Sequence, residues 1–327
     1  MLPRGPRSHP RAESCSSRDR GPGVPMLTAA RPEGLVALPL GDQRAILVAV
    51  RSPLSLNPSV EWAAGSALAT RSPLTLVHAV PSSDLLPPDT DYAAVVATGR
   101  ALLQSEAARL STRFPTLRVG AYLHCGEIVH ALLGLSGDAM LLVVGADRVN
   151  ATTGAFEGSV AMEVALNSSA PVLIVPTGHR ASGTPEAGHH GHVVVGTDGS
   201  VEANSAVARA AAEADRMGAS LRVVAAMRPE APLSEKLTID TSALLLELHT
   251  TYPSLTVSWI VDLLRTPARA LARHGRDADL LVIGRHGRGA RAGMGLGSVT
   301  HTLLLRPPCP TLVVTLPHPE PSSAPAP

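Results

Sequence analysis

Four residues at fixed spacing, Gly284, Gly287, Gly297 and Ser298, follow directly on the apolar run Asp279 to Ile283. Glycine lacks the Cβ that would hold an anion away from the backbone, so this spacing lets main-chain N–H groups approach a bound oxyanion closely. The stretch from Ser298 to Leu305 reads as a helix, whose first N–H groups lack partners and carry partial positive charge. The chemistry this predicts is capture of a phosphate. Ser298 adds a hydroxyl, and Arg285, Arg288 and Arg291 lie where they could neutralise phosphate charge or simply form a solvated face. A second unusual loop, Thr197-Asp198-Gly199-Ser200, ends the apolar run beginning at His192. Asp198 is either a turn or helix-cap aspartate or a ligand acceptor, and the glycine loop in the same repeat favours the ligand role.

Other phosphate and catalytic motifs are missing. A P-loop needs a lysine after its glycines, and Lys236 is the only lysine. Gly287 to Ala292 matches the loose pattern GxGxxA, but it follows a late strand, and no acidic residue lies about 20 positions on to hold a ribose. G-x-S-x-G and HExxH do not occur. His189, His190 and His192 have no companion thiolate or carboxylate to fix a metal geometry. The formal net charge is only +1, which argues against a general nucleic-acid or membrane-surface binder. Cys15, Cys125 and Cys309 are widely spaced, as suits a reducing, cytoplasmic compartment.

The elements that must position these loops come twice. FPTLRV at Phe114 recurs as YPSLTV at Tyr252, AMLLVVG at Ala139 as ADLLVIG at Ala278, and APVLIV at Ala170 as CPTLVV at Cys309. Gly145 and Gly284, Gly158 and Gly297, and Pro171 and Pro310 are each 139 positions apart, so a whole domain is duplicated. In the second copy, strands His192–Thr197, Leu221–Met227, Leu255–Val261, Asp279–Ile283 and Thr311–Thr315 alternate with helices. The helices are Ser200–Met217, Leu233–Thr250, one from Pro267 to a stop at Gly275 with Thr266 as N-cap, and Ser298–Leu305. This alternation predicts an α/β fold of two repeated domains, each a five-stranded, mostly parallel sheet with helices on both faces. In such sheets ligands sit beyond the strand C-termini where strand order reverses, which would bring the two loops into one crevice. With 45% hydrophobic but 2% aromatic residues, the cores must be built from Ala, Val and Leu. The expected division is a disordered tail 1–41, with Met26 as an alternative start; a first domain 42–177; a polar linker 178–191; a second domain 192–316; and a disordered tail 317–327.

The pattern G-x2-G-x9-G-[ST], with VVVGTDGS (Val193 to Ser200) and ADLLVIG, closely resembles the nucleotide-binding branch of the universal stress protein family, over both repeats from about Arg44 to Thr315. The resemblance implies a Rossmann-like fold and ATP, or a related adenine nucleotide, with any Mg2+ accompanying it. Gly284 and Gly287 would line the ribose and phosphates. Gly297, Ser298 and Val299 would present donors at the helix start. Gly196, Thr197 and Asp198 would face the adenine and ribose, with Ala226 as an adenine contact. The first repeat keeps Gly145, Gly158 and Ser159, but Arg148 replaces the second glycine, and Arg51 stands where Asp198 stands. That half is expected to bind ATP poorly and to serve as a structural partner. The family's domains commonly pair through their last strands, so Pro171–Val175 and Thr311–Val314 would pair within one chain, leaving a further homodimer open. A stress-response sensor or regulator, not an enzyme, is the leading expectation. Slow ATP hydrolysis, with Asp198 or His286 as base, and a ligand-free adaptor are the alternatives.

Overall fold

A computed structural model describes residues 44–51, 57–146, 160–176, 191–226, 241–288 and 295–315. The two tails, most of the linker, the start of the helix expected from Leu233, and Arg148, Gly158, Ser159 and Arg291 lie outside the described residues.

The first half contributes β1 (Ala45–Ala49), α1 (Pro58–Thr70), β2 (Leu74–Val80), α2 (Tyr92–Arg113), β3 (Val119–Cys125), α3 (Ile128–Leu135), β4 (Ala139–Gly145), α4 (Val160–Asn167) and β5 (Val172–Val175). The second repeats the order with β6 (His192–Thr197), α5 (Val201–Met217), β7 (Ser220–Ala226), α6 (Thr241–Thr251), β8 (Val257–Asp262), α7 (Pro267–His274), β9 (Leu280–Gly284), α8 (Ser298–Leu305) and β10 (Thr311–Val314). Local chemistry sets the ends. Ser200 caps α5 by accepting the Ala203 N–H, and Gly218 closes that helix in the left-handed conformation at φ +63°. Pro267 opens α7, where its missing N–H costs no helical bond. Thr266 occupies the N-cap position there, but its side chain makes no capping hydrogen bond.

All strands join one sheet in the order β3-β2-β1-β4-β5-β10-β9-β6-β7-β8. Within each half every pairing is parallel. The halves meet through β5 and β10, which pair antiparallel with Leu312 opposite Leu173. Each last strand thereby covers an edge that the other half would leave unpaired. Strands such as Val193–Val195 and Leu280–Val282 have no exposed surface, because helices cover both faces. Residues of α1, α2, α5 and α6 form the core on one face, and residues of α3, α4, α7 and α8 the core on the other. Both cores run across the junction of the halves. Strand order reverses between β1 and β4 and again between β6 and β9, and the second reversal is where the site lies.

Candidate functional site

At the C-terminal end of β6 the chain turns sharply into α5. Gly199 supplies a positive φ of +76°, and its N–H donates to Thr197 Oγ1. Asp198 Oδ1 accepts the Ser200 N–H at 2.9 Å, an aspartate turn that sets the start of α5. Its other oxygen, Oδ2, accepts the Arg288 N–H at 2.8 Å and so ties the glycine loop to β6. Burial works to raise the pKa of this carboxyl. The hydrogen bonds from Ser200 and from the Arg288 amide, with the Arg288 charge, outweigh burial and hold it below the usual range.

The glycine loop is pinned at both ends. Arg285 N–H donates to the Val314 carbonyl, and the Arg285 carbonyl accepts the Gly297 N–H, both at 3.0 Å. Thr300 Oγ1 donates to the Gly284 carbonyl at 2.8 Å, and the His286 ring hydrogen-bonds the Gly295 carbonyl. Gly297 is the N-cap of α8 and makes no side-chain cap, and the first helical bond is His301 N–H to the Gly297 carbonyl. The amides of Ser298, Val299 and Thr300 therefore have no intrahelical acceptor, and they stand at the wall of a cavity.

That cavity has a volume of about 240 Å³. Its lining contains all nine residues singled out from sequence: Gly196, Thr197, Asp198, Ala226, Gly284, Gly287, Gly297, Ser298 and Val299. The structure brings them together because the ends of β6, β7 and β9 are neighbours in the sheet. A Cβ would crowd a neighbour at three of these positions, against backbone at Gly284 and against side-chain ends that would have to shift at Gly287 and Gly196. A Cβ on Gly287 would stand 2.3 Å from Asp198 Oδ2, one on Gly284 2.9 Å from the His286 carbonyl, and one on Gly196 2.7 Å from Leu271 Cδ1. Sequence reasoning missed the apolar floor, made by Val224, Pro267, Leu271 and Ile283. The pattern of α7 shows a buried face at Leu271, but not which cavity that face closes.

The two described arginines of the loop do not act alike. Arg288 lines the cavity, whereas Arg285 turns its guanidinium away, toward the Ser168 carbonyl of the first half. Arg285 is thus not placed against a ligand's phosphates, because its side chain is committed to the contact between halves. In the first half, Ala49 occupies the position of Gly196, and Arg51 that of Asp198. Among the described residues, no cluster of three or more His, Cys, Asp or Glu is placed to hold a metal, and no helix is long and apolar enough to cross a membrane.

Sheet order, duplication and a glycine loop at the switch point define a tandem Rossmann-like α/β protein with a cleft suited to an anionic ligand. The model of the universal stress protein family matches residues 43–176, 190–252 and 262–315, and the chain belongs to that family. It is 28% identical to universal stress protein Rv2005c of Mycobacterium tuberculosis over 293 residues, 83% of this chain and 97% of that protein. With Rv2623 of the same organism it shares 30% identity over 295 residues, 82% and 95% of the two chains. Among solved structures, a universal stress protein from Archaeoglobus fulgidus superposes with a TM-score of 0.63 at 20% identity, over 85% of this chain and 98% of that one. One from Pseudomonas aeruginosa gives 0.58 at 19%, over 84% and 94%. Both share the fold.

Proposed function

We propose that the second half binds ATP or a related adenine nucleotide in this cavity, and that the protein is a cytoplasmic sensor or regulator in the stress response. One observation carries the proposal: the β6 turn and the β9 glycine loop close on a single cavity with an amide-rich wall and an apolar floor. Backbone donors at Gly287 and at the start of α8 would hold phosphate oxygens. Val224, Ala226, Pro267 and Leu271 would take the flat, apolar face of the base. The cavity is slightly smaller than the roughly 300–1,000 Å³ of typical small-molecule pockets, so the nucleoside would fill it while a phosphate tail lay along the glycine loop. Any Mg2+ would arrive on the nucleotide's phosphates.

The same geometry favours binding over hydrolysis. Both oxygens of Asp198 accept backbone N–H groups and the His286 ring holds the Gly295 carbonyl, so the two candidate bases are engaged within the site's own framework.

The test is displacement of a fluorescent ATP analogue from the full chain by ATP, GTP and inorganic triphosphate. ATP should displace it best, with triphosphate at least about tenfold weaker because it cannot use the apolar floor. Equal competition by triphosphate would reduce the site to an anion trap, and absence of binding would leave the adaptor reading.

A further inference from the structure

The glycine loop of the second half rests on the first half at both ends. At its entry, Arg285 Nη2 donates to the Ser168 carbonyl, while its Nε is buried with no hydrogen-bond partner among the described residues. At its exit, a Cβ on Gly295 would fall 2.6 Å from Leu166 Cδ1, and Leu296 packs on the core that holds Ala161, Val164 and Ala165 of α4. Just beyond β10, Thr315 Oγ1 donates to the Ser169 carbonyl at 3.3 Å.

The corner that receives these contacts is stiff. Ser168 is 1% exposed, its N–H donates to the Val164 carbonyl at 2.9 Å, and its hydroxyl bridges the carbonyl and N–H of Ala170 at 2.8 and 3.0 Å. The equivalent position in the first half, 139 residues earlier, is Ala146. Ala146 and Arg285 make the same backbone bond, to the Val175 and Val314 carbonyls respectively. Of these two equivalent residues, only the arginine has a side chain long enough to cross. Keeping a cation there, with one N–H unpaired, costs more than an alanine would.

Arg285 is held at three points: its N–H on β10, its guanidinium on the first half, and its carbonyl on the N-cap residue of α8. Arg285 thus links the first half, through its guanidinium, to the N-cap residue of α8, through its carbonyl. We propose that Arg285 is a positioning residue through which the α4–β5 corner of the first half sets the second half's ligand site and senses its occupancy. The proposal rests on an adenine nucleotide occupying the cavity. It gives the half with Arg51 and Arg148 a role in binding without a ligand of its own.

The test follows hydrogen exchange of residues 164–170 in the full chain with and without saturating ATP, beside ATP affinity. In the parent, ATP should slow exchange at this corner. Arg285→Ala should weaken ATP about tenfold and abolish that response, while Arg285→Lys, which keeps a donor, should restore much of both. A corner indifferent to ATP in a parent that binds it would overturn the proposal alone, as would unchanged affinity in Arg285→Ala. Absence of ATP binding to the parent would overturn both this proposal and the nucleotide assignment. If Arg285→Ala fails to fold, the parent's exchange response and the lysine variant still decide.

Discussion

Asp198 and Arg288 are 90 positions apart, yet the carboxylate of one accepts the backbone N–H of the other at 2.8 Å. This contact fastens the glycine loop to the end of β6, so the acid acts on the loop's shape as well as on any ligand. Its pKa lies below the ordinary carboxylate value in the folded chain, since the hydrogen bonds from Ser200 and Arg288 overcome the opposing effect of burial. A depressed folded pKa contributes stability that is complete above the unfolded value of about 3.9 and is lost as pH falls through the folded value. Asp198→Asn should therefore lower the thermal midpoint at pH 7, and the gap from the parent should close in strong acid. A gap that stayed constant from pH 7 to pH 3 would show that the carboxylate's charge does not hold the loop.

Gly287 faces the same oxygen. Because a Cβ there would lie 2.3 Å from Asp198 Oδ2, Gly287→Ala must displace either the carboxylate or the loop. ATP affinity should fall by about tenfold or more with the fold intact. Gly287→Ala and Asp198→Asn break one latch, so their combined cost in calorimetry should fall short of the sum by about 0.5–3 kcal/mol.

Gly196 and Leu271 form a second test pair, this time at the apolar floor. The first half has Ala49 at the corresponding position, and an alanine at Gly196 would press on Leu271 Cδ1 at 2.7 Å. Gly196→Ala should push Leu271 into the cavity and weaken binding several-fold, and adding Leu271→Val should recover part of the loss. Equal affinity of Gly196→Ala and the parent would mean that the ligand does not reach this floor.

Helix ends distant from the site should change stability alone. Gly218 ends α5 at φ +63°, whereas Arg71 ends α1 at φ +55° with a side chain that disfavours this conformation. Gly218→Ala should cost about 1 kcal/mol, and Arg71→Gly should gain up to about 1 kcal/mol. Urea unfolding would measure both, with ATP affinity as the unchanged control.

The sheet and the loop residues lining the cavity were legible because their signals are local or repeated. Apolar runs such as Val193–Val195 report burial on both faces, the shared 139-residue separation reports duplication, and strands that end at a switch point deliver Asp198 and Gly287 to one place. Pairing of β5 with β10 was implied by the family resemblance, and its antiparallel sense comes from the structure. What could not be read are contacts set only by the packing of one half on the other. Nothing around Arg285 distinguishes a phosphate-facing arginine from one that reaches Ser168, 117 positions away. Leu271 is likewise apolar on a short helix, and only the packing of α7 against β6 and β7 makes it a floor. The expected helix from Leu233 is described only from Thr241 onward, as α6.

In the proposed function, one half of a duplicated chain holds the nucleotide and the other does not. Calorimetric titration of the full chain with ATP, beside the variant Gly287→Arg that copies Arg148 into the second half, tests it most directly. The parent should show one site per chain and the variant none. Two sites in the parent, or undiminished binding in Gly287→Arg, would contradict it.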